Sequence, residues 1–192
     1  VLFRSDGRLS FSNWVQSIAA GRSYISDGLC HLLDFSGAAA PKQSVVRVGE
    51  KGSEMRVSSG DKLKFRVRAA ARLEGSPEVP VELVVNGFPV DSRPLRTDGS
   101  MQEVTFETEL EHSSWVAVRV FPHAHTNPIY VVIGGKPVRG SVDSARWCLA
   151  GVEQCWKSKQ KFYAATEQDD ARAAYDHARM VYRQLISERR GQ

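Results

Sequence analysis

Two histidines one residue apart, His123 and His125, stand between Pro122 and Pro128 in the run His123-Ala-His-Thr-Asn-Pro128. On a strand such a pair projects both imidazoles to one side, and imidazole is a good ligand for zinc and other divalent metals. A metal site needs three or four ligands, and no neighbouring run of carboxylates and histidines completes one. The bracketing prolines favour a rigid turn, so a structural or interface role for the pair outweighs ligation. A second group lies near the start of the chain, where Gly21-Arg22 precedes Ser26-Asp27-Gly28. Arg22 and Asp27 could stand at a cleft; an ion pair at a domain seam with a turn glycine accounts for them equally well. His31, His112 and His177 have no partner visible in the sequence and read as solvated or packed. There is no strained serine elbow, no phosphate-cradling loop and no dinucleotide fingerprint. By these tests the chain carries no self-sufficient active site.

The elements that must position these residues are mostly strands. Phe11, Trp14, Val15 and Ile18 have helical spacing over Ser10–Ala20, with Gly21 as the stop. Short strands are expected at Ser23–Ser26 and Leu29–Phe35, the second ending by Ala38–Pro41. In Lys62–Leu73, Leu63, Phe65, Val67, Ala69, Ala71 and Leu73 alternate with basic residues, which predicts a half-buried strand with a basic outer face. Glu103, Thr105, Glu107, Glu109 and Glu111 form the acidic counterpart. Opposed across adjacent strands, the two rows make an ion-pair lattice, a better account of the basic face than nucleic-acid binding. Val81–Val85, Asn86-Gly87 and Phe88–Val90 predict a hairpin. Trp115–Phe121 and Ile129–Ile133 predict two further strands, with the histidine segment between them as a turn. Helices are expected over Asp143–Ala164 and Ala171–Ile186, with Trp147 and Trp156 anchoring helix to sheet and Cys148 and Cys155 as core thiols.

The chain has 192 residues, 42% of them hydrophobic and 25% charged, which excludes a disordered chain and allows one to two domains. No apolar run approaches the ~20 residues that span a bilayer. The net charge of +4 comes from interleaved charges and implies no polyanion partner. On one helix Cys148 and Cys155 would lie ~10 Å apart along the axis, beyond disulfide reach. The cysteine usage fits a reducing, cytoplasmic compartment. Val1-Leu-Phe-Arg-Ser5 matches the translated end of a common sequencing adapter. Residues 1–5 therefore read as candidate adapter residues on a truncated reading frame, with a native extended segment as the alternative.

Four motifs resemble one family together: AGRSYISDG (Ala20–Gly28), VPVELVVNGFPV (Val79–Val90), SSWVAVRV (Ser113–Val120) and HTNPIYVVIGGKPVR (His125–Arg139). The chain resembles the C-terminal part of CehA/McbA-type metallohydrolases, which carry a PHP-like catalytic domain. The resemblance covers Trp14–Arg139, and the tail from Trp147 through Tyr182 is similar to the helical ending of one branch. Gly28-Leu29 stands where relatives commonly have Gly-Pro, and the stretch between Leu73 and Val79 is short. The family's metal-binding His and Asp residues lie upstream, and nothing in this chain matches them.

The resemblance implies a mainly β fold with α: an antiparallel immunoglobulin-like β-sandwich, an N-terminal helix and strand left from a PHP domain, and a C-terminal helical hairpin. The expected division is residues 1–36 for the end of the catalytic domain, 37–140 for the sandwich, and 141–192 for the hairpin packed on it. No catalytic or metal-binding residue is expected within the chain, and no cofactor; a divalent metal is implied for the catalytic domain. Candidates for a substrate pocket or domain interface are Arg22, Ser26, Asp27, Gly28, His125, Thr126 and Asn127. The expected function is an accessory region supporting the family's catalytic domain as its partner, inactive alone, with neither nucleic acid nor membrane as a partner. It predicts an exposed apolar patch around Phe11, Trp14, Ile18 and Tyr24. A stand-alone immunoglobulin-like module binding protein or carbohydrate is the alternative, and it predicts a closed surface and an exposed aromatic groove on the sandwich face.

Overall fold

The computed structural model describes residues 2–3, 8, 10–40 and 44–188. Of the candidate adapter residues, Val1, Arg4 and Ser5 lie outside the described residues. The chain divides into two compact units, residues 1–138 and 139–192.

The first unit opens with a two-residue strand, β1 (Leu2–Phe3), and helix α1 (Phe11–Ala19). Ser10 starts the helix by accepting the Asn13 amide on its hydroxyl at 3.2 Å. Strands β2 (Ser23–Ser26), β3 (Cys30–Ala39), β4 (Val46–Arg47) and β5 (Glu54–Val57) follow, then β6 (Lys62–Ala71), β7 (Glu78–Val85), β8 (Phe88–Arg96) and β9 (Gln102–Glu109). The last three strands are β10 (Ser114–Val120), β11 (Ala124–Thr126) and β12 (Ile129–Ile133).

They form two sheets. One runs β4-β3-β6-β9; the other runs β1-β2-β11-β10-β12-β5, with β7 on the second edge of β10 and β8 beyond it. Pairing is antiparallel except for β12 with β5, which is parallel. The period-two pattern decides which face is buried. Leu63, Phe65, Val67 and Ala69 of β6 meet Val116, Val118 and Val120 of β10 in one buried cluster between the sheets. Asn86 and Gly87 take positive φ values of 52° and 96°, the combination that a two-residue hairpin turn requires between β7 and β8.

Strand β3 is longer than expected, and the expected domain boundary after residue 36 falls inside it. A bulge explains how it stays in register with the core. Asp34 adopts φ 54° and the pairing with β6 shifts between Leu33 and Ser36, so Leu32 before the bulge and Phe35 after it both point inward. Gly37 then leaves room for a ring, since a Cβ there would lie 2.8 Å from Phe65 Cε1. Residues 30–39 therefore belong with the sheets that follow, not with a separate N-terminal element.

The expected ion-pair lattice is present on the outer face of β6. Lys64 stands opposite Glu107, with Nζ 3.7 Å from Oε1. Arg66 reaches diagonally to Glu103 at 3.6 Å, and Arg68 turns the other way to Asp34 at 3.2 Å.

The second unit is an antiparallel helical pair, α2 (Val142–Lys159) and α3 (Gln168–Glu188). Trp156 packs against Tyr175 with ring centroids 5.0 Å apart. Arg179 lies over the Trp156 ring and is clasped by Glu153 at 2.9 and 3.0 Å and by Asp176 at 2.7 Å. The expected core thiols are a correction. Neither helix buries a residue, and Cys155 is exposed with its Sγ 3.0 Å from Tyr175 Oη. Trp147, expected as an anchor, is 77% exposed. Within the pair the contact seam is taken by Trp156, Tyr163 and Tyr175. No described helix is long and apolar enough to cross a membrane.

Candidate functional site

The histidine segment is not simply a turn. Its second half is β11, which pairs with β10 on one side and with β2 on the other. Arg119 of β10 pairs with His125 on one edge and Glu82 on the other, and Val116 pairs likewise with Ile129 and Val85. So β11 and β12 lie one after the other along a single edge of β10, broken at Asn127-Pro128. Proline has no amide hydrogen to give a sheet ladder, which places the break there. Beyond the break the outer partner changes, from β2 on β11 to β5 on β12.

The seven candidate residues are gathered around this β2–β11 ribbon, yet most of their polar atoms are already engaged. Asn127 donates its side-chain amide to the Gly21 carbonyl at 2.9 Å and to Ser23 Oγ at 3.1 Å. Thr126 is buried, and its hydroxyl accepts the Val118 amide at 3.1 Å. Ser26 donates to the Cys30 carbonyl and accepts the Gly28 amide at 2.9 Å. Gly28 has φ 94°, which turns the chain from β2 into β3. Arg22 gives its Nε to the Gly49 carbonyl at 3.1 Å. That close approach depends on glycine, because a Cβ at Gly49 would sit 2.1 Å from Arg22 Cγ. The residues form a clasp that ties the end of α1 and β2 to β10. A clasp is a positioning device; it leaves few free groups for chemistry.

Asp27 is the most perturbed of them. Its Oδ2 lies 2.7 Å from His123 Nδ1, and its Oδ1 accepts the Leu29 amide at 2.9 Å. The hydrogen bond from His123, then that from Leu29, hold its carboxyl below the usual carboxylate range. The two histidines thus part company: His123 serves Asp27, while His125 lies on the outer face with Nδ1 3.3 Å from the Thr126 carbonyl. Among the described residues no three His, Cys, Asp or Glu side chains gather as a metal site. His31 does have a partner, Tyr24, whose Oη lies 2.8 Å from its Nδ1. Burial pushes the Cys30 thiol up, and the charge of Asp27 adds to it, which makes it a poor nucleophile.

No protein-family model matches the chain, and no curated protein matches it.

A further surface feature is one that the motif reading missed. The solvent face of an antiparallel sheet is ordinarily polar; here the outward residues of β10 are Trp115, Ala117 and Arg119, with Phe121 just beyond the strand. They contribute, with Val84, His125 and Tyr130, to a cavity of about 580 Å³. Val84 and Ala117 are only 5% and 8% exposed although they face away from the core, so taller side chains stand around them as walls. Trp115 is the cross-strand partner of Tyr130. Arg119 gives Nε to Glu82 at 2.6 Å and lies over the Phe121 ring. The signal was legible in SSWVAVRVF, where the outer row carries Trp115, Ala117 and Phe121 with Arg119 as its one charged member.

Proposed function

We propose that this chain is the accessory region of a metal-dependent hydrolase of the CehA/McbA type. In this reading an immunoglobulin-like β-sandwich and a helical pair support a PHP-like catalytic domain, and the divalent metal belongs to that domain. The observation that carries it is α1. Phe11, Trp14, Val15 and Ile18 are all exposed, Phe11 at 78%, and the only buried residue of the helix is Ser17. A surface helix ordinarily turns such a stripe toward a core, so an apolar row left in solvent is suited to a further protein surface. The Asn127 clasp holds the end of this helix against β2. Tyr24, expected in the same patch, packs against the buried core instead, so the patch is confined to the helix.

The test is the DNA upstream of the Val1 codon. An in-frame segment with an H-x-H motif and further His and Asp ligands supports the reading; a stop codon followed by a start near Leu9 overturns it.

A second reading, a binding module of the same sandwich type, is favoured by the cavity over β10. The exposed α1 row speaks for the first reading over the second, since a stand-alone module calls for a closed surface.

A further inference from the structure

We propose that the groove over the outer face of β10 binds a neutral carbohydrate, with Trp115 and Tyr130 as the stacking wall and Arg119 and His125 as the hydroxyl-binding wall. The inference rests on the binding-module reading of this cavity and names its ligand.

The groove has two unlike walls. Trp115 and Arg119 are four residues apart on one strand, hence ~13 Å between their Cα positions. Between them lies the low floor of Ala117 and Val84, paired across β10 and β7. On one side stand two aromatic side chains at paired positions, Trp115 and Tyr130. On the other, Arg119 and His125 occupy paired positions on β10 and β11, with Phe121 against the Arg119 guanidinium. The space is within the range of small-ligand sites.

Charge then selects among occupants. The guanidinium of Arg119 and the carboxylate of Glu82 are 2.6 Å apart and neutralise each other. Glu82 thereby offsets the guanidinium charge, so an anion gains little from Arg119, and a cation would meet that guanidinium directly. A wholly apolar occupant would cover Arg119 and His125 and return no hydrogen bonds to them, which costs free energy. A sugar ring satisfies both walls. Its hydroxyls both donate and accept, which matches a guanidinium and an imidazole side by side. Its C–H faces suit the aromatic wall and the Ala117–Val84 floor.

The test uses the full chain, titrated with cellohexaose, xylohexaose and maltohexaose by calorimetry and by amide NMR. An oligogalacturonate serves as the anionic comparison, and anilinonaphthalene sulfonate as the apolar probe. The expected result is saturable binding of at least one neutral hexasaccharide, with shifts at the Ala117 and His125 amides. Tyr130→Ala, at an exposed position that leaves the core intact, should weaken that binding about tenfold or more. Binding unchanged by Tyr130→Ala, or tighter binding of the oligogalacturonate, overturns the proposal. If only the dye moves these amides, the carbohydrate is wrong while a binding module for an apolar partner stands. If nothing moves them, both fall.

Discussion

His123 and Asp27 lie 96 positions apart in the chain, and their side chains meet at 2.7 Å between Nδ1 and Oδ2. The backbone repeats the link, since the Asp27 amide donates to the His123 carbonyl at 3.0 Å. Together they lock the β2–β3 connection onto the turn between β10 and β11.

This pair gives the fold an acid limit. The folded-state pKa of Asp27 is below its unfolded value of about 3.8. Its contribution is therefore complete above that value and is lost as pH falls through the folded pKa. Asp27→Asn should lower the melting temperature at about pH 5, and the gap to wild type should close towards about pH 2. Parallel thermal melts across that range are the check. A gap that widens in acid would contradict the assignment.

Asn127 is expected to act at a distance from its own strand. Asn127→Ala leaves the Gly21 carbonyl and Ser23 hydroxyl without their donor, a loss of about 1–2 kcal/mol. Amide hydrogen exchange should quicken in α1 and β2 while β6 and β9 keep their protection. Uniformly faster exchange would place the clasp in the global core.

Thr126 and His125 are neighbours with opposite expectations. Thr126→Val keeps the shape but removes the acceptor of the Val118 amide, costing about 1–3 kcal/mol in denaturant unfolding. His125→Ala lies on the outer face and should change stability by no more than about 0.5 kcal/mol. In an intact hydrolase of the proposed type, His125→Ala should lower the rate more than the melting temperature. Equal losses in both would leave it a packing residue only.

The outer face of β6 offers a double-mutant cycle. Lys64 and Glu107 face each other at 3.7 Å and are largely solvated. Their coupling should be about 0.2–1 kcal/mol and should shrink with added salt. A coupling insensitive to salt would mean that the pair is less exposed to solvent than its geometry indicates.

The helical pair depends on a guanidinium fork. Arg179→Lys cannot keep both bonds to Glu153 while covering Trp156. The far-UV helical signal should then melt at a lower temperature than in the wild-type chain. An unchanged helical transition would show that the aromatic seam holds the pair without the fork.

Local periodicity determined the strands of this protein. The alternation in Lys62–Ala71, the Asn86-Gly87 turn and the helical spacing from Phe11 to Ile18 each act within a few residues, so the sequence is enough to read them. The basic and acidic rows also met as their spacing implied, because facing strands with complementary charges have few other registers. What the sequence could not hold was set by partners distant along the chain. The Asp34 bulge lets Cys30–Ala39 run as one strand along β6, through the position of the boundary expected at residue 36. The break at Asn127-Pro128 turned half of a presumed loop into a strand shared by β2 and β10. The groove over β10 exists only because Val84, Trp115, Arg119, His125 and Tyr130 come from four strands, β7, β10, β11 and β12, laid side by side. Side-chain type is written in the sequence, but which rows share a face depends on register, and register is fixed only when the sheets close over their common core.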